Sequence, residues 1–241
     1  MTGTLHGVIF DTADIKGLAS FYSQLTGFKE DYVDDYWITL KSDEGRRLAF
    51  QLAPDHVQPR WPDQRFPQQF HLDFLTPDME GETARAISLG ATRLEGGGDT
   101  WTVLADPSGH PFCVCANDGA TSLAWQDVAI DCPDGKALGT FYAELLGYEL
   151  TYEGPEGAMI SAEGRLPVMF QNVADYNAPR WPDPAYPQQA HLDIDVDDID
   201  EAEEMVLGLG ATKLRGGGGS ISGYRVFADP AGHPFCLVWG Q

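Results

Sequence analysis

An internal repeat constrains the fold of this 241-residue chain more than any other feature of its sequence. Three stretches return almost unchanged at an offset of 120 residues: FYSQLTGF at Phe21 as FYAELLGY at Phe141, PRWPD at Pro59 and again at Pro179, and LGATRLEGGG at Leu89 as LGATKLRGGG at Leu209. Self-similarity on this scale predicts two copies of one domain, each of a normal domain size. We place the copies at residues 1–117 and 122–241, joined by the small polar stretch ANDGATS.

Within each copy the hydrophobic period changes from strand to helix and back, twice. HGVIFD alternates as a strand does, whereas apolar residues across 14–26 recur at helical spacing and Gly27 ends that helix. The cycle restarts with QFHLDFL and a second helix over 78–89. Each copy therefore reads as two modules of a strand, a helix and further strands, which gives four modules in the chain.

The charge balance excludes some partners. The 37 acidic and 15 basic residues give a formal net charge of -22, which repels nucleic acid and anionic membranes and attracts cationic small molecules, although acidity can also serve solubility alone. The first residues lack a secretory signal, and no apolar run approaches the ~18 residues of a membrane span. Four cysteines are too few for a disulfide framework. We expect a reduced, cytoplasmic protein that binds neither nucleic acid nor membrane.

The repeated motifs resemble those of a known superfamily. FYxxLxGF after a first strand, HLDxxxxD opening a second module, LGAT after its helix and DPxGHPFC before a final strand are similar to the vicinal oxygen chelate superfamily, which includes glyoxalase I, bleomycin-resistance proteins and extradiol dioxygenases. The resemblance implies an α+β fold in which four βαβββ modules form two tandem glyoxalase/bleomycin-resistance-type domains. Their curved sheets would enclose a cup. A duplicated chain of this kind would be a monomer that acts as an internal pseudo-dimer.

Strand alternation predicts which side chains face the cup. In FPQQFHLD, Leu72 and Phe74 form the apolar face that meets the helices, so His71 and Asp73 point the other way, as do His191 and Asp193 in the repeat YPQQAHLD. The same argument applies to the first strand of each half. It predicts that His6 and Gln126 face away from the cup. The residues predicted to face the cup are Gly7, Ile9, Asp11, Asp127, Ala129 and Asp131.

Metal-dependent members of the superfamily bind a divalent ion at four cup-facing positions, and the resemblance carries these over within each half. The first half offers Gly7, Gln51, His71 and Cys113, and the second offers Asp127, Gln171, His191 and Cys236. Glutamine and cysteine stand where glutamates are expected, which makes a poor set of deprotonated donors. We predict no cofactor; the alternative is one divalent metal ion, with zinc most compatible and His191, Asp127, Cys236 and His71 as candidate ligands.

Further polar and aromatic residues complete the predicted ligand pocket. Asp73 and Asp193 either orient the neighbouring imidazole or cap the following loop, and Trp61 and Trp181 either stack on a ligand or pack the PRWPD loop. His110 and His233 are read as turn or rim residues. Aromatic residues predicted to line the cup are Trp37, Phe50, Trp61, Phe70 and Trp101. The predicted pocket as a whole is His71, Asp73, Gln51, Cys113, Trp37, Trp61, His191, Asp193, Gln171, Cys236 and Trp181.

Three functions fit these observations. The one we favour is a small-molecule-binding protein that sequesters a drug-like, cationic or aromatic compound, because the metal set is degraded while the cup is aromatic. The first alternative is a metal-dependent lyase or isomerase of the glyoxalase type, for which the sequence identifies no catalytic residue. The second is a non-catalytic pseudo-dimeric domain pair. One cup is expected to have kept a function that the other lost, so that binding is nearer one ligand per chain than two.

Overall fold

The computed structural model describes residues 3–63, 66–183, 188–218 and 222–240. These residues form four helices and sixteen strands in four successive modules. Module 1 contains β1 (Thr4–Thr12), α1 (Ile15–Thr26), β2 (Lys29–Val33), β3 (Trp37–Lys41) and β4 (Arg47–Leu52); module 2 contains β5 (Phe70–Thr76), α2 (Met79–Ser88), β6 (Thr92–Arg93), β7 (Trp101–Ala105) and β8 (Pro111–Ala116). Module 3 contains β9 (Ala124–Cys132), α3 (Gly135–Leu146), β10 (Glu149–Gly154), β11 (Gly157–Ser161) and β12 (Val168–Asn172); module 4 contains β13 (Ala190–Asp195), α4 (Ile199–Gly208), β14 (Thr212–Gly218), β15 (Gly223–Ala228) and β16 (Pro234–Trp239). Among the described residues, no helix has the length and apolar character that crossing a membrane requires.

Each of these helices begins at an aspartate. Asp14 accepts a hydrogen bond from the backbone N–H of Gly17, and the same cap recurs at Asp78, Asp134 and Asp198. A carboxylate at this position satisfies N–H groups that have no partner inside the helix. Helix α1 ends at Gly27, whose φ of 76° lies in the left-handed region predicted from the sequence.

The two modules of each half pack together through the first helix of one module and the last strand, with the turn before it, of the other. Phe21 on α1 meets Phe112 on β8 with ring centroids 6.0 Å apart, and the Tyr22 hydroxyl donates to the Asp106 carboxylate at 3.0 Å. The second half repeats both contacts. The FY and DPxGH motifs therefore form one structural unit. His110 follows the predicted turn, but it is buried against Asp106 rather than placed at a rim.

The two sheets, by contrast, are built across the halves. In the first sheet β1 of module 1 pairs antiparallel with β13 of module 4; in the second, β5 of module 2 pairs antiparallel with β9 of module 3. Each is an eight-stranded sheet formed by the described strands of two modules. The predicted fold class is confirmed, but each cup draws one module from each half. The cup-facing sets predicted within one half were therefore grouped wrongly, because the sequence pattern does not say which first strands pair.

Two glutamines, one from each half, form reciprocal hydrogen bonds where the central strands of the two sheets meet. The side-chain carbonyl of Gln189 accepts from the backbone N–H of Gln69 at 3.1 Å, and that of Gln69 accepts from the N–H of Gln189 at 2.9 Å. The Gln189 amide also donates to the carbonyl of Pro67 at 2.8 Å. Both glutamines are buried. The side chain of the second Gln in each Pro-Gln-Gln run thus accepts a backbone hydrogen bond from the other half, as a neighbouring strand would.

Replacing Gln189 by Ala should destabilise the whole chain, because it leaves the buried N–H of Gln69 and the carbonyl of Pro67 without partners. We expect a loss of about 2 kcal/mol or more in the free energy of unfolding. Urea denaturation measures it, with Gln24→Ala on the exposed face of α1 as a matched control that should change little. Equal stability of the two variants would contradict the role assigned to the glutamine pair.

Candidate functional site

Cup A is the concave face of the first sheet, and it contains a cavity of about 740 Å³. That volume is in the range that encloses a drug-sized molecule. Side chains from module 1 and module 4 line it together. The lining is His6, Gly7, Ile9, Asp31, Tyr32, Asp34, Trp37, Thr39, Arg47, Ala49, Gln51, Trp181, Gln188, His191, Asp193, Arg215, Tyr224, Val226, Cys236 and Val238.

Cup B is the equivalent face of the second sheet and combines modules 2 and 3. Its polar floor holds His71, Asp73 and Cys113 from module 2 and Asp127 and Asp131 from module 3. The predicted pocket residues therefore separate into two groups. Gln51, Trp37, His191, Asp193, Cys236 and Trp181 belong to cup A, and His71, Asp73, Cys113 and Gln171 belong to cup B.

Three predicted orientations were wrong. His6 lines cup A instead of facing away, because the β1–β13 ladder has a bulge between Leu5 and Gly7. Phe50 and Phe70 lie in the hydrophobic core with almost no exposure, on the sheet face opposite the cups. The aromatic character of cup A comes instead from Trp37 and Trp181, which were predicted, and from two rings that were not, Tyr32 and Tyr224.

In cup B, His71 is held by an amide from its own motif. One side-chain nitrogen, Nε2 of Gln68, lies 3.2 Å from His71 Nδ1 and 3.0 Å from an oxygen of Asp131. Gln171 donates to the same Asp131 oxygen at 3.1 Å. Burial raises the pKa of Asp131 to about 6, so it is ionised at neutral pH and requires N–H donors. The NH₂ group of Gln68 must therefore face both the carboxylate and the imidazole.

Cup A repeats the arrangement. Nε2 of Gln188 lies 3.2 Å from Asp11 and 3.3 Å from His191 Nδ1. In each cup the glutamine and histidine come from one half and the aspartate from the other. Burial by itself lowers the pKa of His191, but the adjacent Cys236 and Asp193 outweigh it and raise that pKa well above its ordinary value.

The amide fixes which imidazole nitrogen carries the proton. A ring nitrogen that accepts from an NH₂ group has no hydrogen, so the neutral ring keeps its proton on Nε2, which faces the cup. The raised pKa of His191 favours the cation, in which Nε2 also carries a proton; Nδ1 is then protonated too and no longer accepts from Gln188. Both histidines therefore present an N–H donor to the cup and no lone pair.

This protonation fits a metal ion poorly. The ligand atoms of His71, Asp73 and Cys113 all lie within 4.8 Å of one another, as do those of the equivalent three residues in cup A. A ligating histidine, however, normally donates its second N–H to an acceptor, whereas here a donor occupies that side. Burial also raises the pKa of Cys113, which keeps it as a thiol rather than the thiolate that metals bind. Burial raises the pKa of Cys236 as well, against the opposing effect of His191.

Cup B differs from cup A in a pair of carboxylates. Asp127 stands directly opposite Asp73 across the β5–β9 ladder, whereas the equivalent position in cup A pairs Asp193 with Gly7. Burial and the neighbouring carboxylate of Asp73 raise the pKa of Asp127 well above its ordinary value. The protonated form of Asp127 is therefore favoured beside this carboxylate.

The walls of the cups also differ. Trp37 opposes Gln51 in cup A, and the equivalent place opposite Gln171 in cup B is Gly157. Trp181 lines the cavity of cup A. Its counterpart Trp61 lies beside the segment that follows β6, where its indole N–H donates to the carbonyl of Glu95 at 3.1 Å.

Two solved structures of other proteins resemble this chain in fold. Glyoxalase I from Zea mays is 17% identical and superposes with a TM-score of 0.68, covering 99% of this chain and 93% of that one. A putative dioxygenase from Bacillus subtilis is 11% identical with a TM-score of 0.64, covering 100% of this chain and 86% of that one. At such identities the likeness is one of fold: paired βαβββ modules. No curated protein sequence matches the chain.

The family follows from the sequence itself. The family model described as a glyoxalase-like domain matches residues 7–115 and again 127–238. The two matches span most of the chain. It therefore belongs to the glyoxalase-like domain family, with two copies in tandem.

Replacing Asp127 by Asn should stabilise the protein increasingly as the pH rises. A carboxyl group whose pKa is higher in the folded than in the unfolded chain favours folding at low pH, and that advantage is lost between the unfolded pKa and the folded pKa. The variant has no such loss. We expect its stability relative to the parent to rise above pH 4 by roughly 1.4 kcal/mol for each unit of pKa difference.

Urea denaturation at a series of pH values measures this difference. Asp99→Asn, on an exposed loop, provides the control of equal charge change. A pH-independent difference for Asp127→Asn would show that the pKa of Asp127 is not raised in the folded protein.

Proposed function

We propose that this protein binds a small organic molecule in cup A and does so without a metal ion. The cavity in that cup carries the proposal, because it is ligand-sized and has aromatic walls. Trp37 and Trp181 supply flat apolar surface, while His191 and Gln51 supply polar groups at the floor. We also propose a reduced, cytoplasmic setting, which suits the four free cysteines.

The histidine in this site is proposed to be a hydrogen-bond donor. Its Nε2–H points into the cup and could meet a carbonyl or other acceptor on the ligand. Asp193 lies beside it, with an oxygen 3.5 Å from Nε2. This arrangement orients a ligand without requiring any chemical step, which supports binding rather than catalysis.

Cup A is proposed as the main site, so that one ligand binds per chain. Isothermal titration with naphthylacetamide, a neutral planar probe, should give a stoichiometry near one. Trp181→Ala should weaken binding about fivefold, since an aromatic contact contributes on the order of 1 kcal/mol. Trp61→Ala, the same change at the equivalent place in cup B, should leave the affinity unchanged. Equal effects of the two variants would contradict the assignment to cup A.

A metal-dependent lyase or isomerase of the glyoxalase type remains the second candidate, favoured by the grouping of His, Asp and Cys side chains in each cup. The two candidates differ in metal content. We expect elemental analysis of the purified protein to find far less than one divalent ion per chain, before and after dialysis against zinc. A near-stoichiometric metal that is removed by EDTA and by His191→Ala would favour the enzyme instead.

A third reading, a pseudo-dimeric domain pair with no ligand, predicts that neither metal nor probe binds. The two experiments together separate all three functions.

A further inference from the structure

Arg215 at the mouth of cup A has an unusual environment for a cation in so acidic a chain. Its guanidinium carbon lies 4.5 Å from the ring centroid of Trp181, and both residues line the cavity. Among the residues that the structure describes, no carboxylate pairs with it. A guanidinium group has five N–H donors, and the ring face satisfies none of them fully.

Two carboxylates of the cavity wall, Asp31 and Asp34, have partners other than Arg215. One oxygen of Asp31 lies 3.4 Å from Nε of Arg47, and the other lies 3.8 Å from the Lys41 ammonium. Asp34 accepts from the Tyr32 hydroxyl and from the backbone N–H groups of Tyr36 and Trp37, all at 2.7 Å. Asp193, the third carboxylate of the lining, lies beside His191, with an oxygen 3.5 Å from Nε2 of that ring. Arg215 is therefore the cation at the mouth of cup A whose N–H groups are open to a ligand.

Cup B has the opposite charge at the equivalent place. The repeat LGATKLRGGG carries Arg215 where LGATRLEGGG carries Glu95. The tryptophan of the PRWPD loop is present in both, but in cup B its indole bonds to the backbone of Glu95 instead of supporting a cation. The combination of a stacked guanidinium and a ligand-sized cavity is therefore specific to cup A among the described residues.

We propose that Arg215, stacked on Trp181, selects a planar ligand that bears an anionic group such as a carboxylate. A guanidinium held in one plane by an aromatic ring is preorganised to bind a carboxylate through two parallel N–H bonds. The planar part of the ligand would lie deeper, toward Trp37. This inference rests on the proposed function of cup A. It also opposes the expectation from net charge alone, which favours a cationic ligand.

Three probes that share one ring system test the charge preference: naphthylacetate, naphthylacetamide and naphthylethylamine, each measured by isothermal titration against the full chain. We expect the carboxylate to bind about tenfold more tightly than the neutral amide and the amine to bind most weakly, as a charge-assisted bidentate contact requires. Arg215→Glu, which installs the cup B residue, should abolish or reverse this order. Arg215→Lys should retain part of it.

Arg165→Glu is the matched control, since it makes the same change in net charge at an exposed turn outside the cavity. It should leave the order of the probes intact. An amine that binds as tightly as the carboxylate would overturn the inference while leaving the binding function standing. A carboxylate preference that survives Arg215→Glu would overturn it as well. Failure of all three probes to bind would count against the proposed function itself, and with it this inference.

Discussion

The pairing of first strands across the two halves is the contact on which the rest of the structure depends. Because β1 pairs with β13 and β5 with β9, each cup is shared between the halves and neither half contains a complete site. The reciprocal amides of Gln69 and Gln189 fix the register at both ladders. Duplication thus provides within one chain what symmetric association would provide for two copies of a single domain.

The same register determines the chemistry of the two histidines. It brings Asp131 of the second half within reach of Gln68 of the first, and Asp11 of the first half within reach of Gln188 of the second. Each amide then occupies the Nδ1 side of a histidine, so the cup-facing nitrogen keeps its proton. A fold whose resemblance implies metal binding therefore presents hydrogen-bond donors at the position of a metal ligand. A histidine at the expected place is not sufficient evidence for a metal site.

The repeat, the modules, the glycine that ends α1 and the cup-facing direction of His71 and His191 could be predicted from the sequence, since each depends on local period or turn chemistry. The grouping of residues into cups could not, because equal copies give no signal of which strands pair. The residue pattern alone gives no signal for the exposed, charged strand β2, because that strand has no buried face to impose alternation. The repeated Pro-Gln-Gln was the available signal for the amide contacts, but its role needs both halves in space.

The protonation of the cup-facing nitrogens is measured most directly by nitrogen-15 NMR of the histidine side chains near neutral pH. We expect Nε2 of His71 and of His191 to carry a proton, and we expect added zinc to leave both signals unchanged. Substituting Asp131 or Asp11 by Asn should loosen this preference in the cup concerned and leave the other cup as it was. An unprotonated Nε2 in the parent protein, or one whose signal moves on stoichiometric binding of zinc, would contradict the account.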